Sequence, residues 1–279
     1  MEISKVQLQS NQHYQSLLSM PLPYTSIIPA ANADARADTV SFELSSPVCP
    51  AQVATISLSG RTPPSIASSK SCHGSLLQDR FDVRMVRLRS CFVARNPRKC
   101  DASQEFFTAR DGSQVPATLA LSRHPSARNT LVRAYGAYGQ SMTTAFKYED
   151  VPLLLRGWNI VYLHVRGGGE LGSGWHNQGR QSLKAASSND VVDGVMWLRH
   201  GHLSEHVDRI VLDTYSAGAL SVATAASDAL MKGATPRSPS TPMISALLLQ
   251  YAFVDPVSAM MDASLSLTVH TPSSRSVFL

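Results

Sequence analysis

Cysteine is scarce in this sequence and gathered at one end: Cys49, Cys72, Cys91 and Cys100 are the only four. No pair has the C-x-x-C spacing of a zinc site or redox motif, so that kind of structural zinc is excluded and no bound metal is expected. The 179 residues after Cys100 contain no cysteine, so a nucleophile in that part of the chain is not a thiol. Long hydrophobic runs are missing too: none approaches the ~18 residues of a membrane-crossing helix. The opening MEISKVQLQSNQHYQSLL has neither an apolar core of signal-peptide length nor a cleavage site behind one. These absences predict an intracellular, cytoplasmic protein with free thiols and no membrane span.

Charged residues make up 16% of the chain and hydrophobic ones 43%, the balance of a globular protein. At 279 residues there is room for one large domain or two modest ones. The net charge of +5 is local. Between residues 80 and 100 lie Arg80, Arg84, Arg87, Arg89, Arg95, Arg98 and Lys99 against the single acid Asp82. Such a run suits a nucleic acid or an acidic partner, or else one solvated strand face. FDVRMVRLRSCFV alternates only roughly and interleaves no base-stacking aromatics, so the solvated face is preferred and no nucleic-acid partner is expected.

The chain changes character near residue 100. Before it, TVSFEL (39–44), QVATISLS (52–59) and 81–93 have the look of short strands, and 60–75 is a Gly/Pro/Ser-rich loop. After it, EFFTARDGSQVPATLAL predicts a hairpin turning at Asp111-Gly112. TLVRAYG (130–136), NIVYLHV (159–165), DRIVLD (208–213) and ISALLLQYAFVD are strands, and VPLLLRG (151–157) is a short helix stopped by Gly157. Asn189 is placed to cap a helix carrying Val191, Val192, Val195 and Leu198 at helical spacing. An Ala-rich helix follows residue 216 and runs to about Met231. Strands alternating with helices predict an α/β fold with a mostly parallel sheet covered on both faces.

Two stretches carry chemistry. In IVLDTYSAGALSVATAASDAL a buried strand runs into Ser216, and small residues follow. A nucleophile elbow needs this setting: a sharp strand-to-helix turn lifts the hydroxyl and aims the next backbone N–H groups at a developing oxyanion. The small residues let strand and helix approach. Thr214 departs from the usual first glycine of G-x-S-x-G, and a plain helix N-cap is the competing reading. RGGGELG, through Gly167, Gly169 and Gly172, also matches the dinucleotide signature G-x-G-x-x-G. Its continuation SGWHNQGRQS is polar and glycine-rich where an apolar-faced helix is needed, and Asp190 and Asp193 begin a helix rather than end a strand. No cofactor is therefore expected.

AYGAYGQ (134–140), HVRGGGELGSGWHNQGR (164–180), the Asp190 helix and TYSAGA (214–219) resemble, in order and spacing, the prolyl oligopeptidase (S9) serine peptidases. The resemblance extends from about 101 to 268, including MMDASLSLT (260–268). VSFELSSPVCPAQVATISLSG resembles, more faintly, the end of that family's β-propeller. The resemblance implies a partial α/β-hydrolase domain over 101–279, with a divergent tail at 263–279, after a propeller remnant in 1–100. It implies Ser216 as nucleophile and the Ala217 N–H as an oxyanion donor. It puts Ala137 where the peptidases carry a second donor, a tyrosine, with Tyr135 and Tyr138 on either side. Loss of one donor costs ~3 kcal/mol in the transition state, most damaging for an amide. The implied activity is acyl transfer from peptide or ester substrates, and Arg166 and Glu170 are implied to brace their loop.

In this fold the acid and the histidine follow the serine along the chain. Asp255 and Asp262 come too early for the acid, and His270 stands in a Ser/Thr-rich tail that no longer resembles the family. KGATPRSPSTP (232–242) replaces a short connection of the family. The expectation is a C-terminally truncated product, inactive alone, without its triad acid and histidine, and with one bare apolar sheet edge. The alternative is a non-catalytic relative that acts by binding. Neither substrate side-chain preference nor oligomeric state is specified.

Overall fold

The computed structural model describes residues 5–10, 13–19, 26–30, 34, 36–57, 83–86, 99–201, 207–231 and 244–261. The loop at 60–75, the stretch 232–242, Cys72, Cys91, Asp262, His270 and the tail lie outside them. Of the basic run only 83–86, 99 and 100 lie inside. The chain divides into two compact units, residues 1–103 with 143–152, and residues 104–142 with 153–279.

The first unit holds two antiparallel sheets. One pairs β1 (Lys5–Ser10) with β2 (His13–Ser19). The other has the order β3 (Ser26–Pro29), β4 (Thr39–Ser46), β5 (Cys49–Ser57), β6 (Val83–Val86). The segment SSPVCP joins β4 to β5. Both strands continue into it and turn over Pro47 and Val48, with a register shift between Leu44 and Ser46. Leu44 and Ala54 are fully buried, and Ser41 and Thr55 share a 2.9 Å hydroxyl bond across the pair.

The second unit is built on six strands in the order β12-β11-β9-β10-β8-β7. These are β7 (Cys100–Thr108), β8 (Gln114–Ser122), β9 (Asn129–Ala134), β10 (Trp158–Leu163), β11 (Arg209–Tyr215) and β12 (Ala246–Gln250). The β7–β8 connection turns at Asp111-Gly112, where Ala109 N–H donates to Ser113 O at 2.8 Å. β10 is antiparallel to β8, and β9, β10, β11 and β12 are mutually parallel. Leu131, Val132, Ile160, Val161, Leu163, Ile210 and Leu212 fill the central strands and are buried, as parallel strands between covered faces require.

Helices α1 (Val151–Leu155), α2 (Ser173–Asn177), α3 (Ala185–His200), α4 (Gly218–Met231) and α5 (Pro256–Met261) connect or follow the strands. α3 and α4 pack on each other and on β10 and β11. Asn189 does not cap α3. The helix begins four residues earlier, and Ser187, which suggests a loop, sits inside it because its hydroxyl donates to Arg166 O at 2.6 Å. β11 also outruns its expected end at Asp213. Pairing with β12 carries it through Thr214 and Tyr215. After β9 the chain places β10 on one side and β11 on the other. That reversal makes the C-terminal ends of β9 and β11 the switch point of the sheet, the place where ligands of such sheets bind. The segments leaving those two ends are Tyr135–Gly139 and Ser216–Gly218.

Candidate active site

Ser216 has φ +48°, a left-handed conformation that costs a non-glycine residue about 1–3 kcal/mol. Hydrogen bonds hold it there. Its N–H donates to Gln250 O at 2.8 Å, and its carbonyl accepts the N–H groups of Phe253 and Ala219, each at 3.1 Å. An N-cap serine has extended backbone and accepts an amide on its hydroxyl. Ser216 does neither, and among the described residues nothing bonds its hydroxyl or the Ala217 N–H. The turn is therefore an elbow rather than a cap, with a free hydroxyl and a free amide.

Gly218 is dictated by contact. A Cβ there would strike Thr214 Oγ1 and come within 2.9 Å of the Tyr135 ring. This explains how Thr214 replaces the usual glycine: the second glycine leaves room for the first position's side chain. Among the described residues the buried Thr214 hydroxyl has no partner.

Tyr135 leaves β9 and packs with Ala137 and Ala217 into a small cluster beside the elbow. Its ring stacks on Tyr215, centroids 4.7 Å apart and planes 16° apart. Tyr135 is only 4% exposed, and burial, with the nearby phenols of Tyr215 and Tyr138, pushes its phenol up to about 12. Among the described residues no group bonds that phenol. Ala137 contributes only a methyl group to the cluster. Tyr135, which the sequence reading left as a flanking residue, is thus the phenol-bearing side chain packed beside the elbow.

Beside the elbow lies a partly buried polar ladder. Asp213 accepts Arg133 Nε at 3.0 Å and Gln250 Nε2 at 2.8 Å, and Arg133 Nη1 donates to Tyr162 OH at 2.9 Å. Tyr162, Arg133 and Asp213 stand at one level across β10, β9 and β11, and Gln250 reaches Asp213 from two residues further along β12. The ladder ties the strand that carries Ser216 to the strand that carries Tyr135 and to the residue that receives the Ser216 amide.

The RGGGELG loop is braced rather than open. Arg166 grips Asp190 through Nη2 at 2.6 Å and Asp111 through Nη1 at 2.5 Å. The guanidinium holds Asp111 down at about 2, while burial pushes the Asp190 carboxyl up against the same bonds. Glu170 accepts the Met142 N–H at 2.9 Å and faces His164 Nδ1 at 3.3 Å. The Gly167, Gly168 and Gly172 amides donate to Trp175 O, Val165 O and Gly169 O. A Cβ at Gly167, φ +95°, would run into the Gly136 carbonyl. Amides engaged in this way cannot cradle a pyrophosphate, and only the five-residue α2 follows, so the loop is not a dinucleotide site. It supports the β9 turn from below.

No described histidine or carboxylate reaches the Ser216 hydroxyl. His164 bonds Thr118 and faces Glu170, His176 bonds Gly167 O, and His124 bonds Ser126. Asp255 is exposed and accepts the Ser258 N–H at 3.0 Å, at the start of α5. Among the described residues no cluster of three metal-binding side chains occurs, and no helix is long and apolar enough to cross a membrane.

A strained serine between a parallel strand and a helix, at the switch point of a mostly parallel sheet, defines an α/β-hydrolase elbow. Residues 144–262 match the prolyl oligopeptidase family. The chain is 33% identical over 179 residues to a prolyl endopeptidase-like protein of Xenopus laevis, covering 61% of this chain and 24% of the relative. It is 33% identical over 168 residues to dipeptidyl aminopeptidase BI of Pseudoxanthomonas mexicana, covering 58% and 21%. Among solved structures, oligopeptidase B from Leishmania major superposes with a TM-score of 0.68 at 20% identity, covering 92% of this chain and 32% of that one. The chain thus spans about a quarter of the length of the curated relatives it matches.

Proposed function

We propose that the protein is a serine hydrolase of the prolyl oligopeptidase type that transfers acyl groups from peptide or ester substrates. The observation that carries this is Ser216 at φ +48°, its hydroxyl and the following amide both unengaged among the described residues. In the proposed reaction Ser216 Oγ attacks the acyl carbonyl. The Ala217 N–H and the Tyr135 phenol donate to the oxyanion that forms. A buried, undissociated phenol suits that role, because it gives a proton-bearing donor at every working pH. The family's names and the elbow support the reading together. Peptide and ester remain the two substrate classes, and Tyr135 supplies the donor that Ala137 lacks.

The attack also needs a base for the serine proton. Among the described residues no side chain is placed as that base, and the substitution that tests the nucleophile is Ser216→Ala. The whole protein from its source cells is expected to lose ester turnover on the same substitution. Equal turnover of the two whole proteins would reject the nucleophile. It would favour a non-catalytic fold that acts by binding, a reading the Ala137 and Thr214 departures permit. The four-stranded antiparallel sheet of the first unit suits a remnant of the propeller that accompanies such domains.

A further inference from the structure

The residue before the nucleophile has no part in the chemistry above, yet its placement is specific. Tyr215 is the last residue of β11, and the left-handed turn at Ser216 begins immediately after it. Its ring lies flat on Tyr135 at 4.7 Å and 16°, and it is 48% exposed, so one face is against Tyr135 and much of the rest meets solvent. Tyr135 is held on its other flank by the elbow, where only the absence of a Cβ at Gly218 leaves room for its ring. The phenol-bearing ring is therefore clamped between the α4 start and Tyr215, at 4% exposure.

We propose that Tyr215 is a positioning residue of the oxyanion site: its ring, stacked on Tyr135, fixes the direction of that phenol and keeps water from it. This deepens the hydrolase reading and rests on it for the oxyanion role alone. Three properties follow from the geometry. A ring is needed at 215, because only a flat surface covers Tyr135 over its whole face. The Tyr215 hydroxyl is not needed, because the contact is ring to ring. The effect falls on the Tyr135 phenol and on the transition state, since Tyr215 has no covalent part. The titratable groups around the phenol are Tyr138 and Tyr215 themselves, with Lys184 bonded to the Gly136 carbonyl one residue on.

The test uses Tyr215→Leu and Tyr215→Phe, each with and without Tyr135→Phe, in the full chain. Phenolate absorbance near 295 nm is followed between pH 9 and 11.5. In the parent and in Tyr215→Phe, removing Tyr135 should change nothing below pH 11. In Tyr215→Leu one phenol should titrate near 10 and vanish when Tyr135→Phe is added. Circular dichroism checks that each variant folds, and Tyr215→Met replaces Leu if that variant does not fold. In the whole protein, phosphonylation of Ser216 by a fluorophosphonate should slow about tenfold in Tyr215→Leu and be retained in Tyr215→Phe. An unchanged Tyr135 titration in folded Tyr215→Leu overturns the proposal, and so does a Phe variant as impaired as Leu. If the whole parent protein takes no label, the hydrolase reading fails, while the titration still decides whether Tyr215 governs Tyr135.

Discussion

Ser216 is stored strain with a purpose. A left-handed serine is disfavoured, and glycine occupies the same conformation at no steric cost. Ser216→Gly should therefore raise stability by about 1 kcal/mol while removing the hydroxyl, a gain visible as a higher urea midpoint. A lower midpoint would mean that the serine side chain supports the fold and that the turn is structural. The serine was legible in the sequence because a buried strand, a polar residue and a run of small residues follow one another in IVLDTYSAGA. The packing of Tyr135 beside the elbow was not legible. Its importance comes from contacts made across space, between the end of β9 and the end of β11, and chain spacing around Ala137 gives no view of them. The same holds for Thr214, whose tolerance depends on the missing Cβ at Gly218.

Between elements, the Arg133–Asp213–Gln250 ladder sets the relative height of the three strands that build the site. Asp213 and Arg133 are both largely buried. Removing one partner leaves a charge in low dielectric, so Asp213→Ala should cost about 3–5 kcal/mol, and Asp213→Asn, which keeps one acceptor oxygen for Arg133, less. Equal midpoints for Asp213→Ala and the parent would show that the ladder is solvated and idle. Lys184, at the start of α3, gives a pH signature. Burial lowers its ammonium to about 8, below the unfolded value of 10.5, while it donates to Gly136 O at 2.5 Å. Below pH 8 the unfolded and folded chains both hold the proton, and between about 8 and 10.5 the unfolded chain holds more. Stability should rise with pH across that window. Lys184→Met should remove that rise, which urea titrations at pH 7.5, 9 and 10 would detect. None of these side chains announced itself in the sequence. Arg133 and Asp213 sit in apolar strands as isolated charges, and only the parallel register pairs them.

At the scale of the molecule, the strand and helix order of the second unit followed from apolar runs separated by glycine turns. The strand order β12-β11-β9-β10-β8-β7 did not, because it depends on which side of β9 each crossover returns. The sequence reading also expected a bare apolar sheet edge. Among the described residues β12 is such an edge: Leu247 and Leu248 are exposed although adjacent strand residues face opposite sides, and Tyr251, Val254, Val257 and Met261 continue the apolar surface. ALLLQ carries no charge or proline to block edge pairing. The isolated chain should self-associate at micromolar concentration, and Leu248→Lys should raise its monomer fraction in sedimentation velocity. A parent that sediments as a monomer throughout would count against an open edge.

The central claim is that Ser216 is a nucleophile. Its most direct test is the intact mass and peptide map of the whole protein after exposure to a fluorophosphonate. One phosphonyl adduct, located on Ser216 and absent from Ser216→Ala, is the result expected. A folded protein that takes no adduct, or takes it on another serine, would contradict the account.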